Sequence, residues 1–198
     1  MGPEDILATY DRVAPGYAAS RDRTLFERRW LDRFLNHAPG RRVLDLGCGT
    51  GRPIAEYLVD RRCEVTGVDG AAGMVALFRQ NLPRARVLHA DMRGLDLDED
   101  FDAILAWNSF FHLAPADQKA MFATFAAHAA PRAVLMFTSG PDAGEPIGRV
   151  EGEPVYHASL APADYRALLA AHGFDVLAFT PQDPDCAGHS VWLARAVA

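Results

Sequence analysis

Apolar residues along this chain gather into short runs, and segments of helical periodicity separate them for most of its length. The runs Arg42–Leu46, Glu64–Val68, Arg86–His89, Phe101–Ala106, Ala133–Thr138, Phe174–Phe179 and Ser190–Ala196 are too short for helices and read as strands. Several carry almost no polar residue, as strands buried on both faces must. Between them, Pro53 to about Asp60, Ala71–Gln80 and Pro115–Ala129 read as helices. A further helix carries Tyr165, Leu168, Leu169 and His172 at helical spacing and stops at Gly173, a C-terminal cap. Pro115 and Pro162 suit first helical turns, where no amide hydrogen is required. Ahead of the first strand, two more helices are predicted, with Phe26, Trp30 and Phe34 stepping along one face of the second.

This alternation predicts an α/β fold: a seven-stranded, mostly parallel sheet with helices on both faces. The last two strands are joined by about ten residues, too few for a parallel crossover, so a C-terminal antiparallel hairpin is expected. Ser139–Ser159 is rich in Gly and Pro and is predicted to be a long loop, a kind of segment that is often functional. No repeat or low-complexity tract interrupts the pattern. Residues 1–198 are therefore expected to form a single domain, with 1–38 as an N-terminal helical lid.

Composition narrows the function. At 198 residues, 49% hydrophobic and 23% charged, the chain is ordinary globular protein. A net charge of −6 argues against a nucleic-acid partner. The densest basic stretch, Arg21 to Arg33, is interleaved with Asp22, Glu27 and Asp32 and reads as a solvated helix surface. No apolar run reaches the roughly 20 residues of a membrane span. The opening Met1-Gly2-Pro3-Glu4-Asp5 lacks the basic and apolar regions of a signal peptide. Cys48, Cys63 and Cys186 are odd in number and widely spaced, which suits neither a disulfide framework nor a zinc cluster. The expectation is a cytoplasmic, metal-free monomer or homodimer with no nucleic-acid or membrane partner.

The chemistry concentrates in Val43-Leu44-Asp45-Leu46-Gly47-Cys48-Gly49-Thr50-Gly51, an apolar strand running into alternate glycines and then a helix. Glycines there let the backbone turn sharply and let a ligand approach where a Cβ would clash. The second strand ends in Gly67-Val68-Asp69, and an acid at that tip is where α/β nucleotide sites hold ribose hydroxyls. The spacing G-x-G-x-G departs from the dinucleotide fingerprint, whose third glycine falls where Arg52 stands. A nicotinamide-dependent oxidoreductase is therefore the runner-up among enzymes.

The segment resembles motif I of the class I S-adenosylmethionine-dependent methyltransferases, and the resemblance continues in order along the chain. Gly67-Val68-Asp69-Gly70 with Met74 is similar to their second motif, His89-Ala90-Asp91-Met92 to their third, and Phe101-Asp102-Ala103-Ile104-Leu105-Ala106-Trp107 to their fourth. The resemblance implies a Rossmann-like methyltransferase fold and S-adenosylmethionine as cofactor. It implies that Asp45, Gly47, Cys48, Gly49 and Gly51 line the methionine part, that Asp69 holds the ribose, and that Gly70 and Met74 flank the adenine. Asp91 would accept the adenine amino hydrogens with the Met92 backbone nearby, and Trp107 would sit beside the methyl donor. Tyr17, with Tyr10, resembles an aromatic lid. Many relatives carry a serine near Ala71, which leaves the capping of the following helix open.

Ligands of open parallel sheets bind beyond the carboxyl ends of the strands. The segments that follow the later strands there offer Asn108 and Tyr156 as contacts for a small-molecule methyl acceptor, and His112, His157 and His189 as candidate bases. Asn108-Ser109-Phe110 is not the Asn-Pro-Pro-aromatic sequence of enzymes that methylate base amines. The function expected is methyl transfer to an O, N or S atom of a small molecule. The alternative of a different class is a protein that keeps the fold and binds the cofactor without turnover.

Overall fold

The computed structural model describes residues 1–197; Ala198, the last residue of the expected domain, lies outside the described residues. Two helices, α1 (Ile6–Ser20) and α2 (Arg28–His37), precede the sheet. There follow β1 (Arg42–Leu46), α3 (Ile54–Asp60), β2 (Glu64–Asp69), α4 (Ala72–Asn81), β3 (Arg86–His89) and β4 (Phe101–Ala106). The second half holds α5 (Pro115–Ala127), β5 (Ala129–Ser139), β6 (Ile147–Val150), β7 (Glu153–Tyr156), α6 (Pro162–Ala171), β8 (Phe174–Asp183) and β9 (His189–Ala196). Seven strands make one sheet in the order β3-β2-β1-β4-β5-β9-β8. The first five are parallel, and β9 runs antiparallel to both β5 and β8.

Alternation along each strand sorts its side chains between two cores. Val43 of β1 joins Trp30, Leu31, Phe34, Leu58 and Phe78 on the side covered by α2, α3 and α4. Leu44 and Leu46 point the other way, to Phe110, Phe122, Phe137, Tyr165 and Trp192 under α5 and α6. Both faces are covered, which is why the central strands are mostly apolar. Pro115 and Pro162 occupy the first turns of their helices, and Gly173, at φ 76°, ends α6.

Three expectations are corrected. Residues 139–159 are not a bare loop: β6 and β7 pair as an antiparallel hairpin, with Val150 opposite Glu153. Its two-residue turn has positive φ at both Glu151 (49°) and Gly152 (81°), the geometry that matches the twist of paired strands. Each strand is only four residues long and contains Gly148 or Pro154, so no alternation signal betrays it. Second, β8 runs on to Asp183, so the connection to β9 is residues 184–188, shorter than expected, because Thr180–Asp183 continue pairing with β9. Third, Phe26 lies ahead of α2 rather than on it.

β1 leads to β2 on one side, and the chain then crosses to β4 on the other. The crevice at the carboxyl ends of β1 and β4 is thus the topological switch point of the sheet, where such folds bind ligands.

Candidate functional site

At that crevice the chain leaves β1 through Gly47 (φ 73°), Gly49 (φ 54°) and Gly51 (φ 78°), a left-handed path that side chains resist. A Cβ on Gly47 would overlap the side chain of Ser109, whose hydroxyl donates to the Leu46 carbonyl at 2.6 Å. A Cβ on Gly49 would instead meet only Tyr17, at 4.0 Å, because that glycine faces the open space of a cavity.

The cavity is lined by Asp45, the glycine turn with Cys48, and Asp69, Gly70 and Met74. Asp91 and Met92 close one end, and Trp107, Asn108 and His112 lie at the tip of β4 and just beyond it. Asp69 organises the floor: one carboxylate oxygen accepts the Gly49 amide hydrogen at 2.8 Å and the other that of Ala71 at 2.9 Å. Burial pushes its pKa up, and the two backbone bonds partly offset that rise. Asp45 is 3% exposed and receives no hydrogen bond from the described residues. Burial, and then the charge of Asp69, push it up to about 7. Such a buried, unpaired carboxylate beside a cavity is matched to a cationic or N–H-bearing ligand group.

Helix α1 forms the roof. Tyr10 and Tyr17 line the cavity with their rings edge to face at 6.0 Å. On its other side α1 docks on α4: Asp11 accepts the Gly73 amide hydrogen at 2.6 Å. This supplies the cap that Ala71 cannot. A Cβ on Gly73 would press on Ala14 and on the Asp11 carbonyl, both at 3.1 Å, so the helices touch closely there. Arg12 pairs with Glu153 at 3.1 Å, and the Ser20 hydroxyl donates to Glu151. The β6–β7 hairpin therefore buttresses the roof.

His112 is 6% exposed. Its Nδ1–H donates to the Tyr156 carbonyl at 2.8 Å, which leaves Nε2 to accept the Tyr10 hydroxyl proton at 2.9 Å. Burial lowers its pKa to about 4, so the ring is neutral at neutral pH. Asn108, at φ 51°, is clamped as firmly: its amide donates to Thr138 Oγ1 at 2.8 Å and its side-chain Nδ2 to His189 Nε2 at 2.9 Å. Trp107 stacks on His189 at 5.8 Å, and His189 on Phe26 at 5.6 Å. The Trp107 Nε1–H is buried without an acceptor among the described residues.

The other candidates sit off the cavity. The Tyr156 hydroxyl turns away to Glu145 and offers the site only its backbone carbonyl, to His112. His157 packs edge-on against Phe111 and close to His112, behind the wall, and His189 lies behind Trp107. Of the three histidines, His112 alone lines the cavity. Four contributors escaped the sequence reading: Asp11, Arg21, Arg93 and Ser109. Arg21 and Glu27 depart from the solvated-surface reading of their stretch, whose Arg23, Arg28 and Arg29 are exposed. Arg21 lines the cavity and pairs with Glu27, which is fully buried with its second oxygen unpartnered among the described residues. No group of three or more His, Cys, Asp or Glu among the described residues is arranged to hold a metal ion. No helix among them is long and apolar enough to cross a membrane.

Comparison with known proteins agrees with this geometry. Residues 43–132 match the model of a methyltransferase domain. Over 135 residues the chain is 33% identical to a dTDP-3-amino-3,6-dideoxy-alpha-D-glucopyranose N,N-dimethyltransferase of Streptomyces fradiae, covering 67% of this chain and 52% of the relative. A malonyl-[acyl-carrier protein] O-methyltransferase of Enterobacter lignolyticus is 34% identical over 116 residues, 55% of this chain and 44% of the relative. The chain thus spans about half the length of these curated relatives. Among solved structures, CalS10, an amino pentose methyltransferase from Micromonospora echinaspora, superposes with a TM-score of 0.72 at 23% identity, covering 96% of this chain and 97% of that one. The glycopeptide N-methyltransferase MtfA, complexed with S-adenosyl-L-homocysteine, gives 0.70 at 22% identity, with 89% and 90% covered. By its ordered motifs, its match to a methyltransferase domain over residues 43–132 and its fold, the chain is similar to the class I S-adenosylmethionine-dependent methyltransferases.

Proposed function

We propose that this protein transfers a methyl group from S-adenosylmethionine to an O, N or S atom of a small molecule by in-line displacement, acting in the cytoplasm as a monomer or homodimer. One observation carries the reading: the glycine turn, Asp69 and the β4 tip line one cavity at the switch point, under the Tyr10–Tyr17 roof. The cavity fits the cofactor chemically. Asp45, unpaired and buried, suits the ammonium of its amino-acid part, and the open face of Gly49 gives that part room. Asp69 keeps acceptor capacity for ribose hydroxyls after its two backbone bonds, because each carboxylate oxygen takes two. Met74 and Gly70 suit the flat, apolar faces of the purine, and Asp91 its amino edge. When bound, S-adenosylmethionine supplies a methyl group already activated on a positively charged sulfur.

The chain's own residues then have to orient the acceptor, exclude water and manage one proton. Tyr10 and His112 are the pair placed to do the last. Nε2 of His112 accepts a hydrogen bond from the Tyr10 hydroxyl, which leaves the Tyr10 oxygen lone pairs free to receive an acceptor N–H or O–H. His112 thus orients Tyr10, and its low pKa makes it a weak base on its own. His157, His189 and Tyr156 support this wall from behind. The acceptor named for the Streptomyces fradiae relative is an amino sugar, which makes small amines the first compounds to test.

Calorimetry with S-adenosylhomocysteine is the direct test. The unaltered protein should bind it, and Asp69→Ala should lose at least about tenfold in affinity, since charged hydrogen bonds contribute roughly 1.5–3 kcal/mol each. No binding to the unaltered protein, or preference for a nicotinamide dinucleotide, overturns the reading. Binding without methylation across a broad panel of amines, alcohols, thiols and acids favours the alternative, a cofactor-binding protein without turnover.

A further inference from the structure

Three groups converge beyond the tip of β3, at the end of the cavity away from β4. The Asp91 carboxylate accepts the Arg93 amide hydrogen at 2.9 Å and is gripped by the Arg93 guanidinium, Nε lying 3.1 and 3.0 Å from its two oxygens and Nη2 2.6 Å from Oδ2. The far side of the same guanidinium reaches Asp117, in the first turn of α5, at 3.2 Å. Asp91 and Arg93 both line the cavity, whereas Asp117 does not.

We propose that Arg93, held from behind by Asp117, is a positioning residue that makes this end of the cavity select a 6-amino purine over a 6-oxo purine. The inference rests on the cofactor reading above and says what enforces it. An aspartate on a loop turns freely about its side-chain bonds, and one free to turn reads nothing. Here three N–H groups, two from the guanidinium and one from the backbone, fix the carboxylate plane. A carboxylate offers about four acceptor directions, and the single Nε–H, shared between both oxygens, counts once, so about one is left for a ligand. That direction welcomes an amino hydrogen and repels a carbonyl oxygen. Arg93 also keeps the group charged: partial burial raises the Asp91 pKa, but the hydrogen bonds from Arg93 outweigh it and hold the carboxyl below its usual range. The pairing of Arg93 with two carboxylates leaves it little freedom to turn into the cavity itself.

The test compares S-adenosylhomocysteine with S-inosylhomocysteine, which differ at the 6-position, by calorimetry at neutral pH. The unaltered protein should prefer the adenosyl compound by about a hundredfold or more, as a site built around one hydrogen bond rejects a mismatched partner. Arg93→Ala should weaken the adenosyl compound by about fivefold and cut the preference by about tenfold, with the melting temperature nearly unchanged because all three side chains are partly exposed. Arg93→Lys, which retains the charge, should recover part of the preference, and Asp117→Asn should lose a smaller part although it does not line the cavity. A preference that survives intact in Arg93→Ala overturns the proposal while leaving the cofactor reading standing. An unaltered protein that binds neither compound overturns both.

Discussion

Asp45 shows what burying a single carboxylate beside a cavity does to stability. Its pKa in the folded chain is raised to about 7 by burial and by Asp69. Between the ordinary carboxylate range and that value, the folded protein holds a proton the unfolded chain has lost, so stability falls as pH rises through this window. Asp45→Asn removes the charge and keeps the shape. In the absence of cofactor at pH 8 it should therefore be the more stable protein, by about 1–3 kcal/mol, in urea denaturation. It should also bind S-adenosylhomocysteine more weakly, having lost its counter-charge. A variant that is less stable than the parent would show that Asp45 is satisfied in solution by something other than ligand. At this scale the residues that line the cavity were legible, because glycines at fixed spacing and acids at strand tips are backbone-determined positions. The histidines were not. His112, His157 and His189 follow the same edge in the sequence, but which of them faces the cavity depends on side-chain direction, and His189 is turned behind Trp107 by its bonds to Asn108 and Cys186. Arg21 and Glu27 were misread for a related reason: charge interleaving marks a solvated face only when nothing covers it.

Among the elements, the contact between α1 and α4 is the one that joins architecture to binding. Asp11 closes the amino end of α4, which otherwise begins at Ala71 without a side-chain cap. The same end carries Gly70 and Met74 against the cavity. Asp11→Ala should cost about 1 kcal/mol of stability, the usual value of a lost cap. The sharper expectation is kinetic. Stopped-flow measurements should find S-adenosylhomocysteine leaving faster from the variant, since a roof that docks less firmly opens more often. An unchanged release rate with the expected loss of stability would confine Asp11 to a structural role. The sequence carried no sign of this contact, which spans two helices far apart in the chain. The same holds for the β6–β7 hairpin, whose strands gain their stability from pairing and from Ile6 of α1 rather than from any pattern of their own. The cores of β1, β4 and β5 were legible because burial on both faces demands mostly apolar residues, whereas β5 begins at Ala129, where α5 was expected to end, because its first residues are partly exposed and include Pro131 and Arg132.

For the molecule as a whole, methyl transfer from a sulfonium requires no Lewis acid, and the proposed activity should survive treatment with EDTA. Loss of turnover that a divalent ion restores would contradict this. The order of the sheet has a different kind of consequence, one that concerns how the molecule is made. The last strand, β9, lies between β5 and β8 and pairs along both its edges. Until it is in place, β5 and β8 cannot meet, and the growing polypeptide presents β5 as an open apolar border, its Val134, Leu135, Met136 and Phe137 ready to join any neighbouring chain. During synthesis the first five strands can assemble, but the sheet is completed only after residues 189–196 have cleared the ribosome. A stop codon ahead of His189 thus removes a keystone rather than a trailing end, and should yield insoluble protein instead of a slightly shorter version of the same fold.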